Sequence, residues 1–147
     1  MADRIIAGSD HAGLRLRAEA LEVAKGLGFE VEDVGPFSGE SVDYPDFARQ
    51  VGETVAAGRA SFGVLVCGTG IGMSIAANKV KGVRAALCTT ELEARMARAH
   101  NDANVLCVGE RIVGPGLGAA IVKAFLETAF EGGRHERRVK KIADLER

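Results

Sequence analysis

Phe62-Gly-Val-Leu-Val-Cys67-Gly-Thr-Gly-Ile-Gly72-Met-Ser-Ile-Ala-Ala-Asn-Lys79 is the stretch that decides how this chain folds. Val64, Leu65 and Val66 make an unbroken apolar run, which suits a parallel strand covered on both faces. Cys67 ends that run, so its side chain is expected at the carboxyl edge of a sheet. Gly68, Gly70 and Gly72 allow a tight turn and bring backbone N–H groups close to anything bound there. Ile71 to Lys79 has helical composition, and a helix N-terminus directed at the turn favours negative charge. A thiol, a cradle of donors and a positive dipole end meet at one point. That combination suits chemistry passing through an anion.

The turn is not a standard nucleotide loop. No Gly-Lys-Ser/Thr follows the glycines, and their spacing is G-x-G-x-G rather than G-x-G-x-x-G. A free cysteine is most often a small buried hydrophobe. Placed before a glycine turn and a helix N-terminus, Cys67 is also a candidate base or nucleophile, because such positions lower a thiol's pKa from about 8.5.

The 147 residues fit one domain, 1–147, long enough to bury a sizeable core. The formal net charge of −1 implies no bulk attraction to nucleic acid or membrane. Residues 132–147 nevertheless hold six Lys/Arg against three Asp/Glu, a locally basic tail. No signal peptide or membrane-spanning run is evident. Cysteines at 67, 88 and 107, without metal-ligand spacing, point to free thiols in a reducing compartment, hence a cytoplasmic protein. Cys88 and Cys107 are expected in the core.

Strand and helix patterns alternate along the chain. Strands are expected at Arg4–Ser9, Phe29–Val34, Phe62–Cys67, Val83–Cys88 and Asn104–Val108. Helices follow from Leu14 to about Leu27, around Phe47–Val55, over Ile71–Lys79, Glu91–Asn101 and Leu117–Phe130, and from about His135. Gly35 to Tyr44 reads as a loop. The expected fold is α/β: a three-layer α/β/α, Rossmann-like sandwich with a five-stranded parallel sheet. Ligands of such folds bind beyond the carboxyl ends of the strands, where strand order switches. Polar residues gather near strand ends: Asp10 and His11 after the first, Cys67 and Thr69 after the third, His100 and Asn101 before the fifth, and Arg111 after it.

Five stretches together resemble one family: Ser9-Asp-His-Ala-Gly13, Asp43-Tyr-Pro45, Cys67-Gly-Thr-Gly-Ile-Gly72 with Ile75-Ala-Ala-Asn-Lys79, His100-Asn-Asp-Ala-Asn104 and Gly132-Gly-Arg-His-Glu-Arg-Arg138. The chain is similar nearly end to end to type B ribose-5-phosphate isomerase, whose family includes galactose- and allose-6-phosphate isomerases. The resemblance implies strand order 2-1-3-5-4 or a close variant. It also implies a homodimer, sometimes paired into a tetramer, with shared sites and no metal or organic cofactor. The implied reaction interconverts ribose 5-phosphate and ribulose 5-phosphate in the pentose phosphate pathway.

Such an isomerisation needs ring opening, removal of a proton beside the carbonyl, and its return to the neighbouring carbon. Cys67 as thiolate is the expected base for both transfers. The N–H groups of residues 70 to 73 (Gly70, Ile71, Gly72 and Met73), beside Gly68, are expected to hold the enediolate, each donor worth about 3 kcal/mol. By resemblance, Thr69 partners the reacting oxygens, and His100 from the neighbouring subunit opens the ring with Asp10. Some relatives lack the cysteine and use a glutamate at the position of Met73; here the cysteine branch applies.

Arg134 and Arg138, four apart on the final basic helix (about 135–145), suit bidentate phosphate contact, with Val139 and Ile142 on the opposite face. By resemblance His11 and Arg111 also contact phosphate, and Tyr44 and Asn101 the sugar. The resemblance groups Cys67, Arg134 and Arg138 in one subunit, with His100, Asn101 and Arg111 from its neighbour. Structural alternatives exist for each: His100 as a helix C-terminal cation, Asp10 as an N-cap, and the arginines as a solvated face. Two other classes compete: a non-catalytic ligand-binding module, and a nicotinamide or flavin oxidoreductase, which the glycine spacing disfavours. Galactose or allose 6-phosphate and a tetrose phosphate remain alternative substrates. Leu117, Ile121 and Phe125, with Val122, Leu126 and Ala129, make the long helix apolar nearly all round, which predicts burial on more than one side, against a second copy.

Overall fold

Five short stretches form five parallel strands in the computed structural model, which describes residues 3–146. In chain order the elements are β1 (Arg4–Ser9), α1 (Leu14–Gly26), β2 (Glu30–Asp33), α2 (Tyr44–Ala56), β3 (Phe62–Cys67) and α3 (Ile71–Ala77). They continue with β4 (Ala85–Leu87), α4 (Glu91–Asn101), β5 (Val105–Gly109), α5 (Glu110–Glu127) and α6 (Arg134–Ala143). The strand order is β2-β1-β3-β5-β4, as expected.

Side chains of a strand alternate between faces, and here each set finds its own helices. Ile5, Ala7, Val64, Val66, Leu106 and Val108 pack with residues of α1, α4 and α5, including Leu16, Ala97, Ile121 and Phe125. Ile6, Leu65, Cys67, Val105 and Cys107 pack with residues of α2 and α3, including Val51, Val55, Met73 and Ala77. The central strand β3 is therefore covered on both sides, and Cys67 points to the α2–α3 side. Strand β2, alternating charged and apolar residues, lies at one edge and is largely exposed.

From β1 the chain crosses through α1 to β2 on one side. From β3 it crosses through α3 to β4 on the other. The switch point therefore lies between β1 and β3, whose paired ends are Ser9 and Val66. Helix α4 returns against the strand direction, so its C-terminus stands at the opposite, amino edge. There the Arg84 Nε donates to the Asp102 carbonyl at 2.9 Å, and the Asn104 N–H donates to the Arg84 carbonyl at 3.0 Å. Strands of five or six residues separate the two edges by about 15–20 Å.

Several boundaries differ from the sequence expectation. Helix α2 begins at Tyr44, before Phe47, because Pro45 in the first turn needs no hydrogen-bonded N–H. The long helix begins at Glu110 rather than Leu117, with a break at Gly114 (φ 69°, ψ 172°) ahead of Pro115. It stops at Glu127 instead of Phe130, where the Thr128 hydroxyl donates to the Ala124 carbonyl at 2.7 Å. Helix α6 starts one residue before His135, at Arg134. Arg147, counted in the basic tail, lies outside the described residues.

Candidate active site

The site begins at the end of β3. Cys67 is 5% exposed, and its Sγ accepts a hydrogen bond from the Gly70 N–H at 3.1 Å. A backbone donor on sulfur stabilises negative charge there. Gly70 reaches this position with φ 80°, where an added Cβ would sit 2.6 Å from Leu87 Cδ1. The Ile71 N–H donates to the Thr69 hydroxyl at 3.3 Å. Two of the four expected anion-hole donors are thus engaged by the turn's own side chains. The first-turn N–H groups of Gly72 and Met73 have no acceptor among the described residues. Met73 offers only this backbone group, since its side chain is fully buried.

Asp10 lies beside Cys67 across the switch point: its N–H extends the β1–β3 pairing by donating to the Val66 carbonyl at 3.1 Å. Its carboxylate, in a residue 8% exposed, accepts from the Ala12 N–H at 2.9 Å in a local turn. It does not cap α1. That role falls to Glu110 from α5, whose Oε1 accepts from the Leu16 N–H at 2.7 Å, because Gly13 brings no capping side chain. The first turn of α1 is therefore partly capped by a carboxylate of this chain.

His11 accepts from the Val42 N–H through Nδ1 at 3.2 Å, leaving Nε2 as the protonated nitrogen and anchoring the 35–43 loop. Below that loop Arg17 is buried. Its Nη1 donates to the Ser9 hydroxyl at 2.7 Å. Its Nε lies 3.1 Å from Asp33 Oδ1 but is not aligned for a hydrogen bond. The Tyr44 ring covers Gly72, whose missing Cβ would stand 2.5 Å from Tyr44 Cζ. Arg111 lies on Gly68: its N–H donates to the Gly68 carbonyl at 3.0 Å, and its Nη1 is 3.2 Å from where a Cβ would be.

A second cluster occupies the amino edge. His100, in the last turn of α4, stacks on His135 of α6, with ring centroids 4.2 Å apart and planes 10° from parallel. Glu131 Oε1 lies 3.8 Å from His100 Nε2 and 3.6 Å from His135 Nε2. Burial, with the neighbouring charges of His100 and Arg134, lowers the His135 pKa below the ordinary histidine value. Arg134 and Arg138 are exposed on the same helix, and exposed Asn101 follows His100. The donor atoms of His100, Glu131 and His135 lie within 4.8 Å of one another. Stacked rings direct their in-plane lone pairs side by side rather than towards one point, and two guanidinium groups are close, so the cluster fits a metal ion poorly.

The grouping of site residues thus differs from expectation. Arg111 joins Cys67, Asp10, His11 and Tyr44, while Arg134 and Arg138 join His100. The reason is helix direction: α5 starts at the carboxyl edge, whereas α4 ends at the amino edge and α6 packs upon it. Cys88 and Cys107 are buried as expected. Burial raises the Cys88 pKa to about 12 and puts that of Cys107 well above the ordinary thiol range. Glu131 and His135 escaped the sequence reading, although their i,i+4 spacing was visible. Two hollows of about 400 and 510 Å³ flank Lys79–Lys81, but neither reaches the Cys67 turn.

An open parallel α/β sheet brings a thiol, a carboxylate and N–H groups without an acceptor among the described residues to its switch point, the parts that a proton transfer through an anion requires. The chain belongs to the ribose/galactose isomerase family, whose model matches residues 5–142. It is 46% identical over 143 residues to ribose-5-phosphate isomerase B of Escherichia coli, covering 97% of this chain and 96% of that protein. The Clostridium thermocellum ribose-5-phosphate isomerase B structure superposes with a TM-score of 0.94 at 52% identity, over 97% of each chain. A Mycoplasma genitalium ribose-5-phosphate isomerase B structure with bound ribulose-5-phosphate gives 0.93 at 46% identity, over 98% of this chain and 96% of that one. No helix among the described residues is long and apolar enough to cross a membrane.

Proposed function

We propose that this protein interconverts ribose 5-phosphate and ribulose 5-phosphate through an enediolate, with Cys67 as the base, as a cytoplasmic enzyme of the pentose phosphate pathway. The observation that carries the reading is Cys67 at the switch point, its sulfur bonded by the Gly70 N–H and flanked by Asp10 and Arg111. In the opened aldose, Cys67 takes the proton from C2 and the electron pair moves onto O1. The Gly72 and Met73 N–H groups hold that oxygen, and Thr69 exchanges the hydroxyl proton between O2 and O1. Cys67 then returns its proton to C1, which leaves a ketone at C2.

Ring opening precedes this. His100 gives a proton to the ring oxygen as its bond to C1 breaks, and Asp10 takes the anomeric hydroxyl proton. With His100 at the amino edge and Cys67 at the carboxyl edge, one chain cannot bring both to one sugar. A homodimer supplies the missing half, with His100, Asn101, Arg134 and Arg138 entering the neighbour's site beside His11, Tyr44 and Arg111. Helix α6 is then part of the phosphate site. Exposed apolar side chains on three helices suit such a contact: Ile75 of α3, Leu92 and Met96 of α4, and Ile112 (58% exposed) and Leu117 (43%) of α5. Assay of kcat/KM over a panel of aldose phosphates tests the assignment. Highest efficiency on ribose 5-phosphate is expected; a six-carbon or four-carbon optimum would reassign the substrate within the family.

A further inference from the structure

His100 ends a helix and is partly exposed, a setting in which a lone imidazole samples several rotamers. Three features remove that freedom. The Glu131 N–H donates to the Ala99 carbonyl at 3.0 Å, tying the chain after α5 to the last turn of α4. Gly132 and Gly133, with φ of 69° and 57°, then reverse the chain so that α6 starts beside the same turn. His135, in the first turn of α6 and 9% exposed, lays its ring flat against His100. The Glu131 carboxylate reaches the same Nε2 edge of both rings.

We propose that Glu131 and His135 are positioning residues for His100: the stacked ring sets its plane, and the carboxylate holds its Nε2 edge. This rests on the reading of His100 as a ring-opening group. With Nε2 turned to Glu131, Nδ1 is the nitrogen facing away from the carboxylate and available to a sugar. The two rings share one carboxylate. Burial, with His100 and Arg134 beside it, disfavours charge on His135. His135 then acts as a neutral wall, as a phenyl ring could.

The test compares Glu131→Gln, His135→Ala, His135→Phe and His100→Asn as full-length proteins. Two readouts are taken: kcat and KM on ribose 5-phosphate, and solvent-deuterium exchange at C1 of ribulose 5-phosphate, which is acyclic and needs only the Cys67 chemistry. Glu131→Gln and His135→Ala are expected to lose about tenfold in kcat with KM within about twofold, while exchange stays near wild type. His135→Phe, keeping the stack, is expected to recover most of the loss. Equal losses in turnover and exchange would mark a general structural defect and overturn the proposal. So would unchanged turnover in Glu131→Gln and His135→Ala beside an impaired His100→Asn. If His100→Asn itself turns over normally, the reading of His100 fails and the positioning role falls with it.

Discussion

The Arg111 guanidinium lies across Gly68, its Nη1 3.2 Å from the position a side chain there would take, while its N–H holds the Gly68 carbonyl at 3.0 Å. A cation is thereby fixed one residue from the Cys67 thiol, on a helix that starts where β5 ends. Replacing Arg111 by Ala is expected to raise KM for a sugar phosphate about 10- to 100-fold, the worth of a charged hydrogen bond, with a smaller change in kcat. Gly68→Ala should do the same more weakly by displacing the guanidinium. A fall in kcat at constant KM would instead place Arg111 at the reacting carbons.

Loss of the thiol separates chemistry from folding. Cys67→Ala is expected to abolish turnover while retaining phosphate binding and a near-normal melting temperature. Cys88→Ala and Cys107→Ala remove fully buried atoms, and each should cost about 1–2 kcal/mol of stability with turnover retained. Inactivity in Cys88→Ala with turnover kept in Cys67→Ala would move the base to β4.

Mixing inactive variants locates the two half-sites. A heterodimer of Cys67→Ala and His100→Asn has one site with both lesions and one with neither, so about half of wild-type activity should return. Cys67→Ala with Arg138→Ala should behave alike, because Arg138 belongs to the His100 half. His100→Asn mixed with Arg138→Ala should show no recovery, since every site then carries one lesion. Recovery in that last mixture, once subunit exchange is verified, would return Arg138 to the Cys67 half.

Alkaline pH should loosen the fold through the buried thiols. The Cys88 pKa is raised from 9.0 to about 12, chiefly by burial and then by the Glu93 charge. Below pH 9 the thiol is protonated in both folded and unfolded chains, so its full contribution is present. Above it only the unfolded thiol ionises, the folded chain binds more protons, and stability falls as pH rises towards 12. The slope contributed by one thiol is at most about 1.4 kcal/mol per pH unit. Denaturant titrations of wild type and Cys88→Ala between pH 8.5 and 10.5 should diverge in slope; parallel curves would remove Cys88 as a cause.

Residues 62 to 79 carried their structure openly, because an apolar run, a glycine turn and a helical stretch are local patterns. The parallel sheet and Cys67 at the end of β3 both followed from period and composition. The first turn of α5 was hidden, since Gly114 and Pro115 disguise it, and Thr128 stops the helix while apolar residues continue. What only tertiary structure decided was which distant residues share a surface. Arg111 and Arg134 both lie near a turn, and nothing in their neighbours tells one edge of the sheet from the other. The direction of α4 against the strands put His100, and with it His135, Arg134 and Arg138, at the amino edge. The start of α5 at the end of β5 put Arg111 beside Cys67. Helix direction and packing, which no local window contains, set Arg111 at one edge of the sheet and Arg134 and Arg138 at the other.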